Sequence, residues 1–243
     1  MDLSARDRLI VALDVPTVAS ARSLVEKLGS AVTFYKIGLE LVMSGGLELA
    51  RELAGSSKRV FLDMKLLDID NTVERATRSA AATGATFLTV HAQDSRTVRA
   101  ALAGRAGTSL KILGVTVLTS LTAEDIRQQG IEASPEDLVV RRARLARDAG
   151  CDGVVASGLE AERVRAVIGP RLEIVTPGIR LPGSEAGDQA RVSGPEQAIA
   201  AGADYLVVGR PIVAAEDPGG AAAIFHRGIA QGLRMRKHSN PAG

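Results

Sequence analysis

The sequence is poor in aromatic residues, in cysteine and in net charge, and each shortage argues against a class of protein. Aromatic residues make up 2% of the 243 residues and tryptophan is absent, so there are few rings on which nucleic-acid bases can stack. The single cysteine, Cys151, rules out an intramolecular disulfide. The formal net charge is only +2, which gives little electrostatic attraction for nucleic acid. We therefore expect neither a nucleic-acid-binding protein nor one stabilised by disulfides.

Long apolar runs are also missing. No run approaches the ~20 residues that a transmembrane helix requires, and segment 1–7 lacks the apolar stretch of a signal peptide. We expect a cytoplasmic protein without membrane contact. Cys151 precedes an apolar run and is expected to be a buried, inert thiol. The basic stretch around Arg234, Arg236 and Lys237 is expected to be a solvated tail rather than a nucleic-acid patch.

The sequence does contain eight short apolar segments. Most are nearly continuous in Val, Ile and Leu, which is typical of parallel strands covered on both faces. The predicted strands are Leu9–Leu13, Thr33–Ile37, Val60–Met64, Thr86–Val90, Ile112–Val117, Gly153–Ala156, Glu173–Thr176 and Tyr205–Val208.

Helical patterns occupy the intervals between these strands. Eight strand–helix units in 243 residues predict an α/β fold, a single-domain (β/α)8 barrel over about 8–233 followed by a short tail, 234–243. The alternative is an open doubly wound sheet, but Leu13-Asp14-Val15-Pro16 stands where a dinucleotide-binding fold needs a glycine-rich turn. A capping box at Asn71–Glu74 opens one predicted helix, and Ser134-Pro135 opens another over Glu136–Asp148. The other predicted helical segments are Thr17–Leu28, Ser157–Val167, Pro195–Ala201 and Asp217–Leu233.

Charged residues stand at the ends of several apolar strands, where active sites of such barrels lie. Lys36 ends the second strand, and Asp63 and Lys65 end the third. Residues two apart on a strand face the same way, so Asp63 and Lys65 should both point into the barrel mouth, with Met64 outward. Asp68 follows within a turn. Lys65, held between carboxylates, would stay protonated and able to deliver a proton; the alternative is an ion-pair network that only braces the barrel.

Two features near the last strands indicate a phosphate site. Gly209-Arg210 follows the eighth strand, where barrels often bind phosphate. The polar loop Arg180–Arg191 is either a lid that closes over ligand, in which Gln189 reaches the phosphate, or a mobile surface loop. His91 ends the fourth strand and can be a base, a metal ligand or a packing residue. The other histidines do not lie at ligand spacing, so we expect no histidine-based metal site.

Several motifs together resemble the orotidine 5′-monophosphate decarboxylases. The resemblance runs from about Leu9 to Ile224 in the family's order, and the combination of Asp-x-Lys-x-x-Asp with Pro-Gly-Ile-Arg and Val-Gly-Arg is highly specific. The matching segments are Val11–Asp14, Tyr35–Gly38, Asp63–Thr72, Val115–Ser120, Thr176–Arg180, Gly187–Gln189 and Val208–Ile212.

The resemblance implies a cofactor-free, metal-free homodimer that converts orotidine monophosphate to UMP and carbon dioxide in pyrimidine synthesis. By position, Lys65 matches the general acid that protonates C6, and Asp63 the carboxylate beside it. Asp68 matches the carboxylate contributed across the dimer interface. Asp14 and Lys36 match the contacts to the ribose hydroxyls.

The remaining binding residues are carried over in the same way. Ile69 and Thr72 match residues near the partner's site, and Thr119 matches the pyrimidine contact. The phosphate, substrate and lid contacts correspond to Pro177, Arg180, Gln189, Gly209 and Arg210.

One departure from the family pattern lies in the loop after Lys65. Asp70 stands where the family usually has proline, and Leu66-Leu67 where Phe-His is common. Asp70 has neither a fixed φ nor a missing N–H, but it can cap the following helix. Two rival functions stay open: a metal-dependent sugar-phosphate enzyme of the same superfamily, and a non-catalytic barrel that senses a nucleotide.

Overall fold

The computed structural model describes residues 3–181 and 193–239. Eight parallel strands form a closed barrel, in which each strand pairs with its neighbours in chain order and β1 also pairs with β8. This confirms the predicted fold, and every predicted strand overlaps an observed one. The strands are β1 (Leu9–Ala12), β2 (Phe34–Gly38), β3 (Arg59–Leu66), β4 (Phe87–His91), β5 (Lys111–Val115), β6 (Gly153–Val155), β7 (Glu173–Thr176) and β8 (Tyr205–Val208).

Helices lie between the strands. A single 3-10 turn, Arg6–Arg8, precedes β1. The helices are α1 (Val18–Leu28), α2 (Leu39–Met43), α3 (Gly46–Gly55), α4 (Asp70–Ala81), α5 (Ser95–Gly104), α6 (Ala123–Gln128), α7 (Pro135–Ala149), α8 (Ala161–Ile168), α9 (Pro195–Ala200), α10 (Arg210–Val213) and α11 (Pro218–Ser239). Six of those described overlap the predicted helical segments, whereas α2, α3, α5, α6 and α10 were not predicted.

Several helix ends follow from local chemistry. Ser134 accepts a hydrogen bond from the N–H of Asp137 and Pro135 occupies the first turn, as predicted for α7. Gly150 ends that helix with a φ of 97°, a left-handed conformation that glycine adopts without strain. The capping box predicted at Asn71–Glu74 is wrong: α4 begins at Asp70 after Ile69, with no side-chain cap.

Two apolar layers hold the barrel together. The larger lies between the strands and the helices, and the smaller fills the barrel interior. The interior contains four of the six aromatic residues, with ring centroids 5.2–6.0 Å apart and mostly edge-to-face. The Arg59 guanidinium stacks 4.4 Å from the Phe34 ring centroid and covers this cluster at the end opposite to the carboxyl ends of the strands. The four rings are those of Phe34, Phe61, Phe87 and Tyr205.

The last helix corrects part of the prediction of a solvated basic tail: Arg234 and Lys237 are exposed, as predicted, but Arg236 is not. α11 continues to Ser239, beyond the predicted end at Leu233. The Arg236 side chain is partly buried and donates hydrogen bonds to the carbonyls of Ile199 and Ala203. This guanidinium therefore attaches α11 to the end of α9 instead of facing solvent.

Within residues 3–181 and 193–239, no helix combines the length and the apolar character that crossing a bilayer requires.

Candidate active site

A cavity of about 440 Å3 opens at the carboxyl ends of the strands. Its size falls within the ~300–1,000 Å3 usual for small-ligand pockets. One side is charged and the other apolar. Its lining includes all of the predicted site residues in the described part of the chain except Asp68, Ile69 and Thr72, which lie in the loop after β3 and the first turn of α4. The lining residues that matter for the argument are Asp14, Lys36, Asp63, Lys65, Thr119, Pro177, Gly178, Arg180, Gly209 and Arg210.

The charged side is a row of four groups of alternating sign. The Lys36 Nζ lies 2.9 Å from Asp14 Oδ1 and 3.6 Å from Asp63 Oδ2. The other oxygen of Asp63, Oδ1, lies 2.8 Å from the Lys65 Nζ. Each ammonium therefore faces a carboxylate, and both carboxylates accept contacts from ammonium groups. The Lys36 side chain is 11% exposed and that of Asp63 14%, whereas that of Lys65 is 31% exposed and faces the cavity.

Burial alone raises the pKa of Asp63, but the Lys36 and Lys65 ammonium groups outweigh it. Hydrogen bonds from Lys65 and Thr89 act in the same direction, so the pKa of Asp63 lies below its ordinary value. Asp63 is therefore an anion at neutral pH, and its two carboxylate oxygens face the two ammonium groups.

Asp63 and Lys65 converge as predicted, but not because β3 alternates regularly. Leu62 pairs with Leu88 and Leu66 with Val90, so three residues of β3 stand opposite one residue of β4. Lys65 within this bulge has a φ of 49°. Met64 packs against the outer apolar layer, as predicted. The bulge, and not the period of a regular strand, directs the Lys65 side chain to Asp63.

The structure does not bring Asp68 to the cavity of its own chain. Asp68, Ile69 and Thr72 are exposed, and the Asp68 carboxylate accepts only a local hydrogen bond from the N–H of Ile69. The prediction that one chain brings Asp68 together with Lys36, Asp63 and Lys65 is thus wrong. The second carboxylate beside the lysines is that of Asp14. Asp70, a possible cap in the sequence, instead accepts hydrogen bonds from Arg96 of α5.

The residues predicted to hold phosphate lie on the far side of the cavity from Lys65. Gly178 has a φ of 76°, and Gly209 immediately precedes α10. The side chains of Arg180 and Arg210 both line the cavity. Gln189 and most of the predicted lid, residues 182–191, lie outside the described residues. Backbone glycines beside two guanidinium groups suit an anionic ligand.

The apolar side of the cavity follows the ends of β5, β6 and β7. Thr119 lies here, as predicted, next to the apolar side chains. Sequence reasoning missed Arg142 of α7, a buried residue that donates a hydrogen bond of 2.8 Å to the Thr116 carbonyl beneath this wall. The wall consists of Val115, Val117, Leu118, Val155, Ala156 and Pro177.

Sequence reasoning also missed Thr89 of β4, and it left the role of His91 open. The Thr89 hydroxyl donates to Asp63 Oδ1 at 2.9 Å and accepts the backbone N–H of Lys65 at 3.0 Å. His91 does not line the cavity. Burial lowers the pKa of His91, and the positive charges of Arg142 and Lys65 lower it further, so the imidazole is neutral at pH 7.

Cys151 is buried, and burial raises the pKa of its thiol to about 12, which agrees with the prediction of an inert residue. Across residues 3–181 and 193–239, no group of three or more His, Cys, Asp or Glu side chains is placed to hold a metal ion.

Comparisons with known proteins agree with this geometry. The Orotidine 5'-phosphate decarboxylase / HUMPS family profile matches residues 7–225. A protein named orotidine 5'-phosphate decarboxylase from Bradyrhizobium sp. is 51% identical over 239 residues, covering 98% of both chains. A second with this name, from Afipia carboxidovorans, is 56% identical over 89% of this chain and 92% of its own.

Solved structures give the same answer. A crystal structure of orotidine 5'-phosphate decarboxylase from Lactobacillus acidophilus superposes with a TM-score of 0.81 at 34% identity. The match covers 90% of this chain and 97% of that one. Fold, site and sequence agree, and the chain belongs to the Orotidine 5'-phosphate decarboxylase / HUMPS family.

Proposed function

We propose that this protein decarboxylates orotidine 5′-monophosphate to UMP and carbon dioxide, in de novo pyrimidine synthesis and without a cofactor. The observation that carries the proposal is the row Asp14, Lys36, Asp63, Lys65 at the cavity, because a site that only binds a nucleotide has no need for a chain of alternating charges with Lys36 and Asp63 largely buried. The names of the relatives, at 51% and 56% identity, support the same reaction.

The chemistry requires a stabilised carbanion and a proton. When the bond between C6 and the carboxylate breaks, its electron pair stays on C6, which has no adjacent electron sink. A preorganised ammonium stabilises that charge with little rearrangement. We assign this role to Lys65, whose Nζ then transfers a proton to C6 and regains one from solvent. Asp63 contacts the Lys65 Nζ at 2.8 Å, and we assign it the position beside the leaving carboxylate.

The rest of the cavity is assigned to binding. Asp14 and Lys36 contact the ribose hydroxyls, and Thr119 contacts the pyrimidine above the apolar wall. The phosphate is assigned to Arg180 and Arg210, with Pro177 and the glycine backbone at Gly209 beside it and Gln189 reaching it from the loop. Binding energy from this remote group then lowers the barrier at C6.

We further propose a homodimer in which Asp68 completes the partner's site. Asp68 is exposed in one chain and lies between two exposed apolar residues, Leu67 and Ile69. Ile69 is 71% exposed and Met43, on the helix after the neighbouring strand, is 81% exposed. Large apolar side chains around a carboxylate favour burial against a second copy. Thr72, also exposed, follows in the first turn of α4.

We also propose that the chain works as one domain in the cytoplasm. The buried thiol of Cys151 and the lack of any possible internal disulfide suit a reducing compartment.

The test is the decay of orotidine monophosphate absorbance on adding the purified protein, with EDTA present throughout. We expect complete conversion to UMP at a rate that EDTA leaves unchanged. Activity that EDTA abolishes would favour a metal-dependent sugar-phosphate enzyme. Binding of UMP by the folded protein with no release of carbon dioxide would instead indicate a nucleotide sensor.

A further inference from the structure

Thr89 occupies a position that the assigned roles leave unexplained. It lies on β4, its side chain is fully buried, and it does not line the cavity. Its hydroxyl nevertheless contacts both members of the reacting ion pair: it accepts the Lys65 N–H and donates to Asp63 Oδ1. The same Asp63 oxygen accepts the Lys65 Nζ at 2.8 Å. The three residues thus form a closed ring of contacts.

The Lys65 backbone needs such support. A φ of 49° is unusual for a residue with a side chain, and such a conformation persists only where its surroundings enforce it. The bulge in β3 also removes the Lys65 N–H from the regular strand ladder. A buried N–H without an acceptor is costly, and the Thr89 hydroxyl is the acceptor that the structure supplies.

We propose that Thr89 is a positioning residue for decarboxylation: its hydroxyl holds the Lys65 backbone and the Asp63 carboxylate in one fixed geometry. The inference rests on the proposed role of Lys65 as proton donor. Thr89 acts through these two residues and contacts no substrate. The hydroxyl both accepts a hydrogen bond from the Lys65 N–H and donates one to Asp63. The first bond orients the hydroxyl so that its hydrogen points to Asp63, so both bonds are required.

The experiment compares Thr89→Val, which keeps the side-chain shape and removes the hydroxyl, with Thr89→Ser, which keeps the hydroxyl. Thr77→Val is the matched control, because Thr77 is equally buried on α4 and its hydroxyl has no hydrogen-bond partner within residues 3–181 and 193–239. We expect Thr89→Val to lower kcat at least about tenfold, since small misplacements of reacting groups carry costs of this size. The KM and the affinity for UMP should change less than about threefold, because the phosphate and ribose contacts are intact.

Serine should rescue the defect, and the control should match the wild type. A second readout is the low-pH limb of kcat. The Thr89 hydroxyl is one of the groups that lower the pKa of Asp63, so its removal should move this limb to higher pH. A residue that only packs the core would not change that limb.

The proposal is overturned if Thr89→Val retains kcat and the low-pH limb of the wild type, or if Thr89→Ser is as impaired as Thr89→Val. If the valine variant does not fold, Thr89→Ser and Thr89→Ala make the same comparison, since both lack the methyl group and differ only in the hydroxyl. The Lys65→Ala variant separates the two proposals. Near-native turnover in this variant would reject the role of Lys65. If Lys65→Ala has no turnover and Thr89→Val is unimpaired, only the role of Thr89 is rejected.

Discussion

At the scale of single residues, the site depends on charges whose states are set by their neighbours. Asp14 and Asp63 face the two lysines, and Asp63 remains a carboxylate because the ammonium groups outweigh the effect of its burial. Removing one member therefore changes the others, so single substitutions here should not have additive effects.

Substitution Lys65→Ala removes the proposed proton donor. We expect turnover to fall at least about a thousandfold, because general acid catalysis and electrostatic stabilisation are both lost. Binding of UMP should remain measurable by titration calorimetry. Lys27→Ala, on the exposed face of α1, is the control and should match the wild type. Near-native turnover in the Lys65→Ala variant would refute its assignment.

Substitution Gly38→Ala tests the space beside Lys36. A Cβ at this position would lie 3.0 Å from the Lys36 Nζ and 3.4 Å from Asp14 Oδ1. The methyl group should displace the ammonium and raise the KM about tenfold, as expected for the loss of one charged binding contact, with little change in Tm. Gly55→Ala, where a Cβ meets nothing within 4 Å, is the control. An unchanged KM in the Gly38→Ala variant would show that Lys36 does not bind substrate.

The lowered pKa of Asp63 predicts a pH dependence of stability. The Asp63 carboxylate binds a proton more readily in the unfolded chain than in the folded one. Its contribution to the free energy of unfolding is therefore complete above its ordinary pKa of 3.8, and it is lost as the pH falls through the lower pKa of the folded state. We expect the difference in free energy of unfolding between the wild type and Asp63→Asn to stay constant above about pH 5 and to shrink at lower pH. Urea denaturation from neutral pH downward measures it, and a difference that stays constant down to the lowest pH would contradict it.

The residues that sequence reasoning missed share a physical reason. Thr89 is a β-branched residue within an apolar strand, and nothing in the sequence separates a hydroxyl that bonds from one that only packs. Arg142 lies among surface-like charges of α7, and only the tertiary structure shows it turned inward to the Thr116 carbonyl. The charged groups at the strand ends were predictable because charge is unusual there.

At the scale of elements, strands were more predictable than helix ends and strand irregularities. All eight predicted strands overlap the observed ones because runs of Val, Ile and Leu follow directly from burial on both faces. The bulge in β3 was not predicted, because it depends on the pairing with β4. The start of α4 was misplaced because the helix begins at Asp70 after Ile69, so Asn71 lies inside the helix and cannot act as its N-cap.

The contacts around Asp204 should contribute strongly to stability. Its Oδ2 lies 2.5 Å from Arg165 of α8, and its Oδ1 lies 3.6 Å from Arg236 of α11. Asp204→Asn leaves these partly buried guanidinium groups without their carboxylate, and we expect a loss of about 2–3 kcal/mol in the free energy of unfolding. Because Asp204 precedes β8 and lies at the opposite end of the barrel from the site, kcat should not change. Asp148→Asn, in an exposed ion pair with Arg147, should cost less than about 1 kcal/mol. Equal losses in the two variants would contradict this ranking.

At the scale of the whole molecule, one chain supplies a closed barrel but leaves Asp68 outside its own cavity. The proposed dimer makes a prediction that one chain alone cannot satisfy. Lys65→Ala and Asp68→Ala proteins should each be inactive, yet mixing them after reversible dissociation should restore about a quarter of wild-type activity, because half of the dimers are mixed and each has one intact site. No recovery in verified mixed dimers would show that Asp68 does not act across an interface.

The β3 bulge has a consequence for how such a barrel can acquire and lose chemistry. Between Leu62 and Leu66 the strand advances four residues while β4 advances two, from Leu88 to Val90. Both steps are even, so the alternation of inward and outward side chains resumes unchanged beyond the bulge. Two residues can thus be inserted or removed here without inverting the rest of the strand. Lys65, the proposed proton donor, lies on this insertion, so excising Met64 and Lys65 should leave a regular, folded strand that lacks the proposed catalytic group.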